Sequence, residues 1–163
     1  MSEFDAMVAA LLEACRSRGW RLATAESCTG GLVAGAITDV AGASDVFEGG
    51  FVVYSDAAKA AMLGVPQALL RTHGAVSQAV ATAMADGALA HADAQLAVAV
   101  TGIAGPGGGT AAKPVGLVWF ALARKDHPTQ TCKRRFGAIG RTMIRRDSVK
   151  QALQLLLDAA SGP

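Results

Sequence analysis

The sequence predicts a single layered α/β/α domain with a mixed β-sheet. Helical and strand-like patterns alternate along its 163 residues, and two of the strand-like segments are almost entirely apolar, as in sheets covered by helices on both faces. Hydrophobic residues make up 52% of the chain and charged residues 17%, a balance that excludes intrinsic disorder. We therefore expect residues 1–163 to form one domain with its own core.

The first third of the chain alternates between helix and strand. Apolar residues at helical spacing predict a first helix that Ser2 caps and Gly19 ends. The elements predicted next are a strand over 20–25, a small-residue helix over 32–40 and a strand over 47–54. The pair Gly49-Gly50 in the last strand predicts a bulge or a close backbone contact.

The rest of the chain continues this alternation. Ser55 is a predicted N-cap for a helix that Gly64 and Pro66 stop, and Ser77 is a predicted N-cap for a helix reaching His91. The remaining predicted elements are buried strands over 95–101 and 115–123, an amphipathic strand over 129–136 and a helix from Arg141 to about Ala160.

Charge is unevenly distributed although the net charge is only +2. Residues 1–112 carry a net charge of −5 and residues 113–163 a net charge of +7, which favours an anionic partner, either nucleic acid or a phosphorylated small molecule. A pI of about 8.6 and the lack of aromatic residues between the basic ones argue against nucleic acid. The basic run Lys133-Arg134-Arg135 fits a guarded edge strand equally well.

Composition also narrows the compartment and the chemistry. No stretch of 18 residues is free of strongly polar side chains, and the N-terminus is acidic with no cleavable signal after it, so we expect neither a membrane span nor export. Cys15, Cys28 and Cys132 are an odd number of distant cysteines, which indicates free thiols in a reducing cytoplasm. The three histidines share no metal-ligand spacing with them, so no metal site is expected.

The segment from Glu26 to Gly31 is the first candidate for chemistry, because it joins a strand to a helix. A serine at Ser27 would project above the sheet edge, and the backbone N–H groups that follow would face a developing oxyanion. A helix-capping turn without catalytic role explains the same residues. Cys28 is a rival nucleophile, and the helical geometry lets only one of the two side chains face the cleft.

A serine nucleophile needs a base, and no Ser/His/Asp set is apparent. Lys59 is the one basic residue between positions 22 and 59, and it lies in the first turn of a predicted helix, where the helix dipole lowers a lysine pKa. It would serve as a general base, with Tyr54 orienting it or relaying its proton. A solvated helix lysine is the alternative reading.

Two further segments suit a phosphorylated ligand. The glycine-rich loop over 102–110 exposes backbone N–H groups, but it matches neither a P-loop nor a dinucleotide-binding fingerprint. Arg141 and Arg145 are four residues apart at the start of the last helix and would fork onto a phosphate.

The motifs of the whole chain together resemble those of the CinA C-terminal domain family, whose characterised members are nicotinamide mononucleotide deamidases. The motifs are Thr24-Ala25-Glu26-Ser27-Cys28-Thr29-Gly30-Gly31, Tyr54-Ser55-x-x-x-Lys59, Gly74-Ala75-Val76-Ser77, the run from Thr101 to Thr110, Lys113-Pro114-Val115-Gly116 and Arg141-x-x-x-Arg145. In this family an acidic residue usually precedes the last motif, and here that position is Gly140.

The resemblance implies that the chain hydrolyses the carboxamide of nicotinamide mononucleotide without a metal or cofactor, as part of pyridine nucleotide salvage, and acts as a homo-oligomer. It implies Ser27 as nucleophile, Lys59 as base and Tyr54 in the same hydrogen-bonded set. The substrate-binding residues that it implies are Thr29, Gly30 and Gly31 on the oxyanion side, Gly102, Gly105, Gly107, Gly108 and Thr110 in the loop, and Arg141 at the phosphate. A non-catalytic nucleotide-binding or competence-associated protein, and hydrolysis of another amide, remain the alternatives.

Overall fold

The computed structural model of the chain describes residues 2–163, and one five-stranded sheet organises them. Its elements in chain order are α1 (Asp5–Arg18), β1 (Leu22–Glu26), α2 (Leu32–Thr38), a 3-10 turn (Ala43–Asp45), β2 (Phe47–Val52), α3 (Asp56–Leu63), α4 (Gln67–His73), α5 (Gln78–His91), β3 (Leu96–Gly102), β4 (Leu117–Arg124), β5 (Gln130–Arg135) and α6 (Arg141–Ser161).

The sheet has the order β2-β1-β3-β4-β5. Strands β2, β1 and β3 run parallel, whereas β4 and β5 run antiparallel to their neighbours, which confirms the predicted mixed sheet. After β1 the chain returns on one side as β2 and later on the other side as β3. Their carboxyl ends therefore open a crevice where strand order reverses, the usual ligand position in open α/β sheets.

Helices cover both faces, so the predicted α/β/α layering is also confirmed. Helices α1, α2 and α6 cover one face of the sheet and pack on it through large aliphatic side chains of their own, such as Leu11, Ile37 and Leu153. The other face carries α3, α4 and α5 and is lined mainly by alanines. Its fully or almost fully buried strand alanines are Ala23, Ala25, Ala97, Ala99, Ala121 and Ala123.

Most predicted helix boundaries agree with the structure. Gly19 ends α1 with a φ of 65°, and the hydroxyl oxygens of Ser55 and Ser77 accept the N–H groups of Ala58 and Val80 at the starts of α3 and α5. Ser2 does not cap the first helix as predicted. Its hydroxyl accepts the Phe4 N–H instead, and α1 begins only at Asp5.

Three other predictions need correction. The strand predicted over 47–54 ends at Val52, and the helix predicted over 32–40 ends at Thr38. The predictions also missed α4, because Pro66 was read only as a stop. With a φ of −60° and a ψ of 130°, Pro66 precedes a new helix, a place in which its missing N–H costs nothing.

The Gly49-Gly50 pair has both predicted features. The pairing of β1 with β2 shifts by one residue, from Leu22 opposite Phe47 to Ala23 opposite Gly49. A Cβ at Gly50 would lie 2.6 Å from the Thr24 hydroxyl oxygen, so the two backbones approach too closely for a side chain. The bulge and the close contact set the path by which β2 leads to Tyr54.

Candidate active site

A cleft of about 190 Å³ lies at the carboxyl ends of the parallel strands. Residues from β3, α3 and α6, from the segments that follow β1, β2 and β3, and from the segment before α5 line it: Ser27, Cys28, Tyr54, Lys59, Ala75, Val76, Thr101, Gly102, Ala104 and Arg141. The fold thus brings together Ser27, Lys59, Tyr54, Gly102 and Arg141, which are distant in the sequence.

Ser27 and Lys59 are in direct contact in this cleft. The Ser27 N–H donates to the Val100 carbonyl (3.0 Å), which extends the pairing of β1 with β3 by one residue and fixes the serine above the sheet edge. The Lys59 Nζ lies 3.1 Å from the Ser27 Oγ and also donates to the Tyr54 carbonyl oxygen at 3.1 Å. This distance allows direct proton transfer between Oγ and Nζ.

Lys59 is almost completely buried, with 1% of its surface exposed. No ion pair among residues 2–163 involves it, so no carboxylate compensates its charge at close range. Burial lowers its pKa from the ordinary value, although the Asp56 carboxylate and Cys28 oppose the shift. A lysine in these surroundings gives up its proton more readily than one in water.

Cys28 lies beside Ser27 but belongs to the opposite layer. Its side chain packs in the core between the sheet and helices α1, α2 and α6, and 6% of the residue is exposed. Burial raises the pKa of the Cys28 thiol to about 11, so the nucleophilic thiolate is scarce at neutral pH. Of the two rival nucleophiles, Ser27 is the one that contacts the lysine.

The turn after Ser27 is held at its helical end by Glu26. This carboxylate is fully buried and accepts the N–H groups of Val33 (2.8 Å) and Ala34 (3.0 Å) in the first turn of α2. It replaces the side-chain cap that Gly31, at the N-cap with a φ of 99°, lacks. Sequence reasoning assigned no role to Glu26. The signal was its place at the end of a buried strand, because a buried glutamate is rarely found without a hydrogen-bond or ion-pair partner.

Arg145 holds the same turn from α6. Its Nε donates to the Cys28 carbonyl (3.1 Å) and its Nη2 to the Thr29 carbonyl (3.3 Å). The predicted sharing of a phosphate between Arg141 and Arg145 therefore conflicts with the contacts that Arg145 makes.

Three backbone donors of the turn remain unused. The N–H groups of Cys28, Thr29 and Gly31 have no acceptor among residues 2–163. Because the N–H and C=O of one trans peptide point in opposite directions, the hold of Arg145 on the Cys28 carbonyl turns the Thr29 N–H away from α6. Unused donors beside a serine are the groups that an oxyanion requires.

Tyr54 contacts the site in a different way from the prediction. Its main-chain carbonyl holds Lys59, whereas its phenol oxygen lies 3.4 Å from the Arg141 Nη2, and the residue is 63% exposed. Arg141 also donates through Nη1 to the Gly105 carbonyl (2.8 Å). Tyr54 and Arg141 together form the mouth of the cleft.

Gly140, which precedes Arg141, has a φ of 100° and a ψ of 144°. Residues with a side chain rarely adopt this conformation, so an acidic residue could stand here only with a changed backbone.

The glycine-rich loop reaches the cleft only at its first part. Gly102 lines the cleft and Gly105 binds Arg141, whereas Gly107, Gly108 and Thr110 are exposed and lie outside the cleft lining. Thr110 closes the loop on itself: its N–H donates to the Lys113 carbonyl (2.8 Å), and its hydroxyl accepts the Lys113 N–H (3.0 Å).

Thr101 is a cleft residue that sequence reasoning missed as an individual site. It is 1% exposed, and its hydroxyl donates to the Ala75 carbonyl at 2.9 Å. The signal was its position, because Thr101 ends a buried strand as Ser27 follows one, and adjacent parallel strands end at one edge.

Residues 2–163 contain neither a grouping of metal ligands nor a helix suited to a membrane. No three or more His, Cys, Asp or Glu side chains in this range are grouped so as to bind a metal ion. No helix in the same range combines the length and the apolar character needed to cross a bilayer.

Known proteins resemble this chain over nearly its whole length. It is 51% identical over 144 residues to the nicotinamide-nucleotide amidohydrolase PncC of Escherichia coli K12, which covers 88% of this chain and 87% of that protein. A CinA-like protein of Akkermansia muciniphila is 55% identical over 139 residues, 85% of this chain. The crystal structure of the competence/damage inducible protein CihA from Agrobacterium tumefaciens superposes with a TM-score of 0.95, at 46% identity, over 99% of this chain and 98% of that one.

These relatives differ in length. The chain spans 33% of the Akkermansia CinA-like protein but most of the PncC protein. The family profile described as the CinA C-terminal domain matches residues 4–160. The chain therefore belongs to the CinA C-terminal domain family.

Proposed function

We propose that this chain is an amidohydrolase that converts nicotinamide mononucleotide to nicotinic acid mononucleotide and ammonia, as a single catalytic domain over residues 1–163. The observation that carries the proposal is the buried pair in which the Lys59 Nζ lies 3.1 Å from the Ser27 Oγ. The name of the PncC relative, which is 51% identical to this chain, supports the substrate.

The reaction begins with the neutral form of Lys59. Lys59 takes the hydroxyl proton of Ser27 as the Oγ attacks the carboxamide carbon, and the carbonyl oxygen becomes an oxyanion. In this proposal Thr29, Gly30 and Gly31 form the oxyanion side of the site. The Gly30 N–H donates to the Ser27 carbonyl (3.0 Å), so the free donors of the turn are the N–H groups of Cys28, Thr29 and Gly31, and of these residues only Cys28 lines the cleft. Such a donor contributes ~3 kcal/mol to transition-state stabilisation in comparable sites.

The intermediate then collapses with cleavage of the carbon–nitrogen bond. The protonated Lys59 returns its proton to the leaving nitrogen, ammonia departs, and Ser27 carries a nicotinoyl ester. A water molecule that Lys59 deprotonates attacks this ester, which releases the carboxylic acid and restores the serine hydroxyl. Every proton passes through Lys59, so the reaction requires no metal and no cofactor.

The cleft has room for the pyridine carboxamide, and the rest of the nucleotide extends past its mouth. In this proposal Arg141 meets the phosphate there, and the contact of the Arg141 Nη2 with the Tyr54 phenol oxygen supports the position of the guanidinium. Gly102 and Gly105 lie next to the ring, and Gly107, Gly108 and Thr110 reach the ribose phosphate if the exposed part of the loop folds over it.

The chain acts in the cytoplasm as a homo-oligomer in this proposal, as part of pyridine nucleotide salvage. The free cysteines support the compartment. Large apolar side chains that are 40–47% exposed support self-association: Leu32, Val52, Met62, Ile139 and Met143. Sedimentation velocity of the purified protein measures this state directly, and a monomer at micromolar concentration would refute it.

The decisive test is ammonia release from nicotinamide mononucleotide by the purified protein, with and without chelator. We expect release that chelator leaves unchanged and that Ser27→Ala and Lys59→Ala abolish in folded protein. The competence-related name of the Agrobacterium structure favours a second candidate, a nucleotide-binding accessory protein. Binding of the mononucleotide without turnover, together with salt-sensitive DNA binding, would support that candidate instead.

A further inference from the structure

Thr101 is the neighbour of the proposed nucleophile on the adjacent strand. Glu26 pairs with Val100 in the parallel register of β1 with β3, so the next positions, Ser27 and Thr101, are also opposite each other. Side chains at paired positions of parallel strands point to the same face of the sheet. Thr101 and Ser27 therefore both face the layer that carries Lys59, and both line the cleft.

The hydroxyl proton of Thr101 already takes part in a hydrogen bond within the protein. It is donated to the Ala75 carbonyl at 2.9 Å, a group that can only accept, and no other donor among residues 2–163 serves that carbonyl. A hydroxyl has one proton and two lone pairs. What remains for a ligand is therefore a pure acceptor, sheltered from water because Thr101 is 1% exposed.

We infer that Thr101 is a specificity-determining residue, whose hydroxyl oxygen accepts a hydrogen bond from the NH₂ of the substrate carboxamide. The inference rests on the proposed function. A carboxamide presents a donor nitrogen and an acceptor oxygen, and a fixed acceptor on β3 selects the orientation with nitrogen toward Thr101. The oxygen then faces the turn after Ser27, where Cys28 lines the cleft and its N–H has no acceptor among residues 2–163.

The same contact distinguishes substrate from product. The carboxylate of nicotinic acid mononucleotide has only acceptors, so one of its oxygens would face the lone pairs of Thr101. The hydroxyl could turn its proton to the carboxylate only by leaving the Ala75 carbonyl without a donor, and unpaired polar groups are costly. Thr101 thus favours binding of the amide and release of the acid.

The test compares two substrates, nicotinamide mononucleotide and the methyl ester of nicotinic acid mononucleotide, which has no NH₂ to donate. We expect Thr101→Val, which keeps the shape and removes the oxygen, to lower kcat/KM for the amide ~10-fold and to change that for the ester less than ~2-fold. Thr101→Ser, which keeps the hydroxyl, should preserve the amide-to-ester ratio. If Thr101→Val does not fold, Thr101→Ala removes the same oxygen, and its ratio decides.

The outcomes separate this inference from the proposed function. An equal fall for amide and ester in Thr101→Val would mean that Thr101 only supports the cleft wall, and would overturn the inference while the deamidase activity stands. A wild-type protein that hydrolyses neither compound would refute the proposed function. In that case the affinity for nicotinamide mononucleotide, measured by calorimetry, tests the role of Thr101. Weaker binding in Thr101→Val but not in Thr101→Ser supports the inference, and equal binding in both variants overturns it.

Discussion

Gly87 on α5 sets how closely α3 packs against α5, and its replacement by alanine tests this directly. A Cβ at Gly87 would lie 3.0 Å from the carbonyl carbon of Leu63 and closer still to its oxygen. Carbon atoms in contact prefer about 3.5–4.0 Å, and the oxygen is the closer of the two atoms, so the end of α3 would have to retreat by about 1 Å. Lys59 is one helical turn before Leu63 and would move with it.

The expected effect on activity is larger than the effect on stability. Overpacking costs about 1–3 kcal/mol, and alanine recovers up to about 1 kcal/mol of helix propensity, so we expect a net loss of about 1–2 kcal/mol in the free energy of unfolding. A retreat of that size stretches the 3.1 Å contact of Lys59 with Ser27 beyond hydrogen-bond range. A misplacement of ~1 Å lowers catalysis up to ~100-fold.

The assays are urea unfolding and kcat/KM for deamidation, with Gly35→Ala as the matched control. Gly35 lies in α2, has an ordinary φ, and an added Cβ there meets no atom within 4 Å. We expect that variant to be stabilised by about 0.5–1 kcal/mol and to keep its activity. If Gly87→Ala were as stable and as active as the wild type, the α3–α5 contact would not position Lys59.

Four further predictions concern three residues around Ser27. Because burial lowers the pKa of Lys59 below 10.5, kcat/KM should rise with pH to a plateau reached below that value, and a flat profile would argue against a titrating base. In the unfolded chain Lys59 keeps its proton to higher pH than in the folded protein, so the free energy of unfolding rises with pH between the folded-state and unfolded-state pKa of Lys59. Lys59→Met, which removes the titrating group, should therefore stabilise the protein more at about pH 6 than at about pH 10. Arg145→Met should lower stability by about 1–3 kcal/mol and reduce kcat more than it raises KM. The control variant Arg146→Met removes only exposed ion pairs, those with Glu3 and Asp147, and should change stability much less; equal effects of the two substitutions would deny Arg145 a role in the turn. Cys28→Ala should retain deamidation despite a modest loss of stability, and loss of activity in folded protein would make the thiol part of the chemistry.

The sequence was sufficient to predict the layers and the strands because each depends on a local pattern. The apolar runs that became β3 and β4 could only be buried strands, and the serines before α3 and α5 mark the starts of those helices by a short-range hydrogen bond. Helix α4 escaped prediction because its seven residues follow Pro66, which ends one helix and precedes the next equally well.

The sequence was sufficient to identify most residues of the site but not the contacts that they make. Ser27 and Lys59 were identified as a pair, and the structure places them together. Tyr54 and Arg145 were assigned contacts by residue type. The structure instead uses the main-chain carbonyl of Tyr54 and directs Arg145 to the turn, and neither choice is encoded in a spacing. The position of Thr101 opposite Ser27 follows only from the register of β1 with β3, which pairs residues 74 positions apart in the sequence.

The alanine lining of one face of the sheet has a consequence for how this protein can change over evolution. Ser27 stands at the edge of the sheet, whereas Lys59 belongs to a helix layer that rests on methyl groups such as those of Ala97 and Ala99. The distance between the nucleophile at the sheet edge and the base on α3 thus depends on how closely this helix layer packs on the smallest side chains. Larger side chains at these positions would push the helix layer away from the sheet and lengthen the contact of Lys59 with Ser27, so we expect the need for turnover, in addition to stability, to keep these positions small.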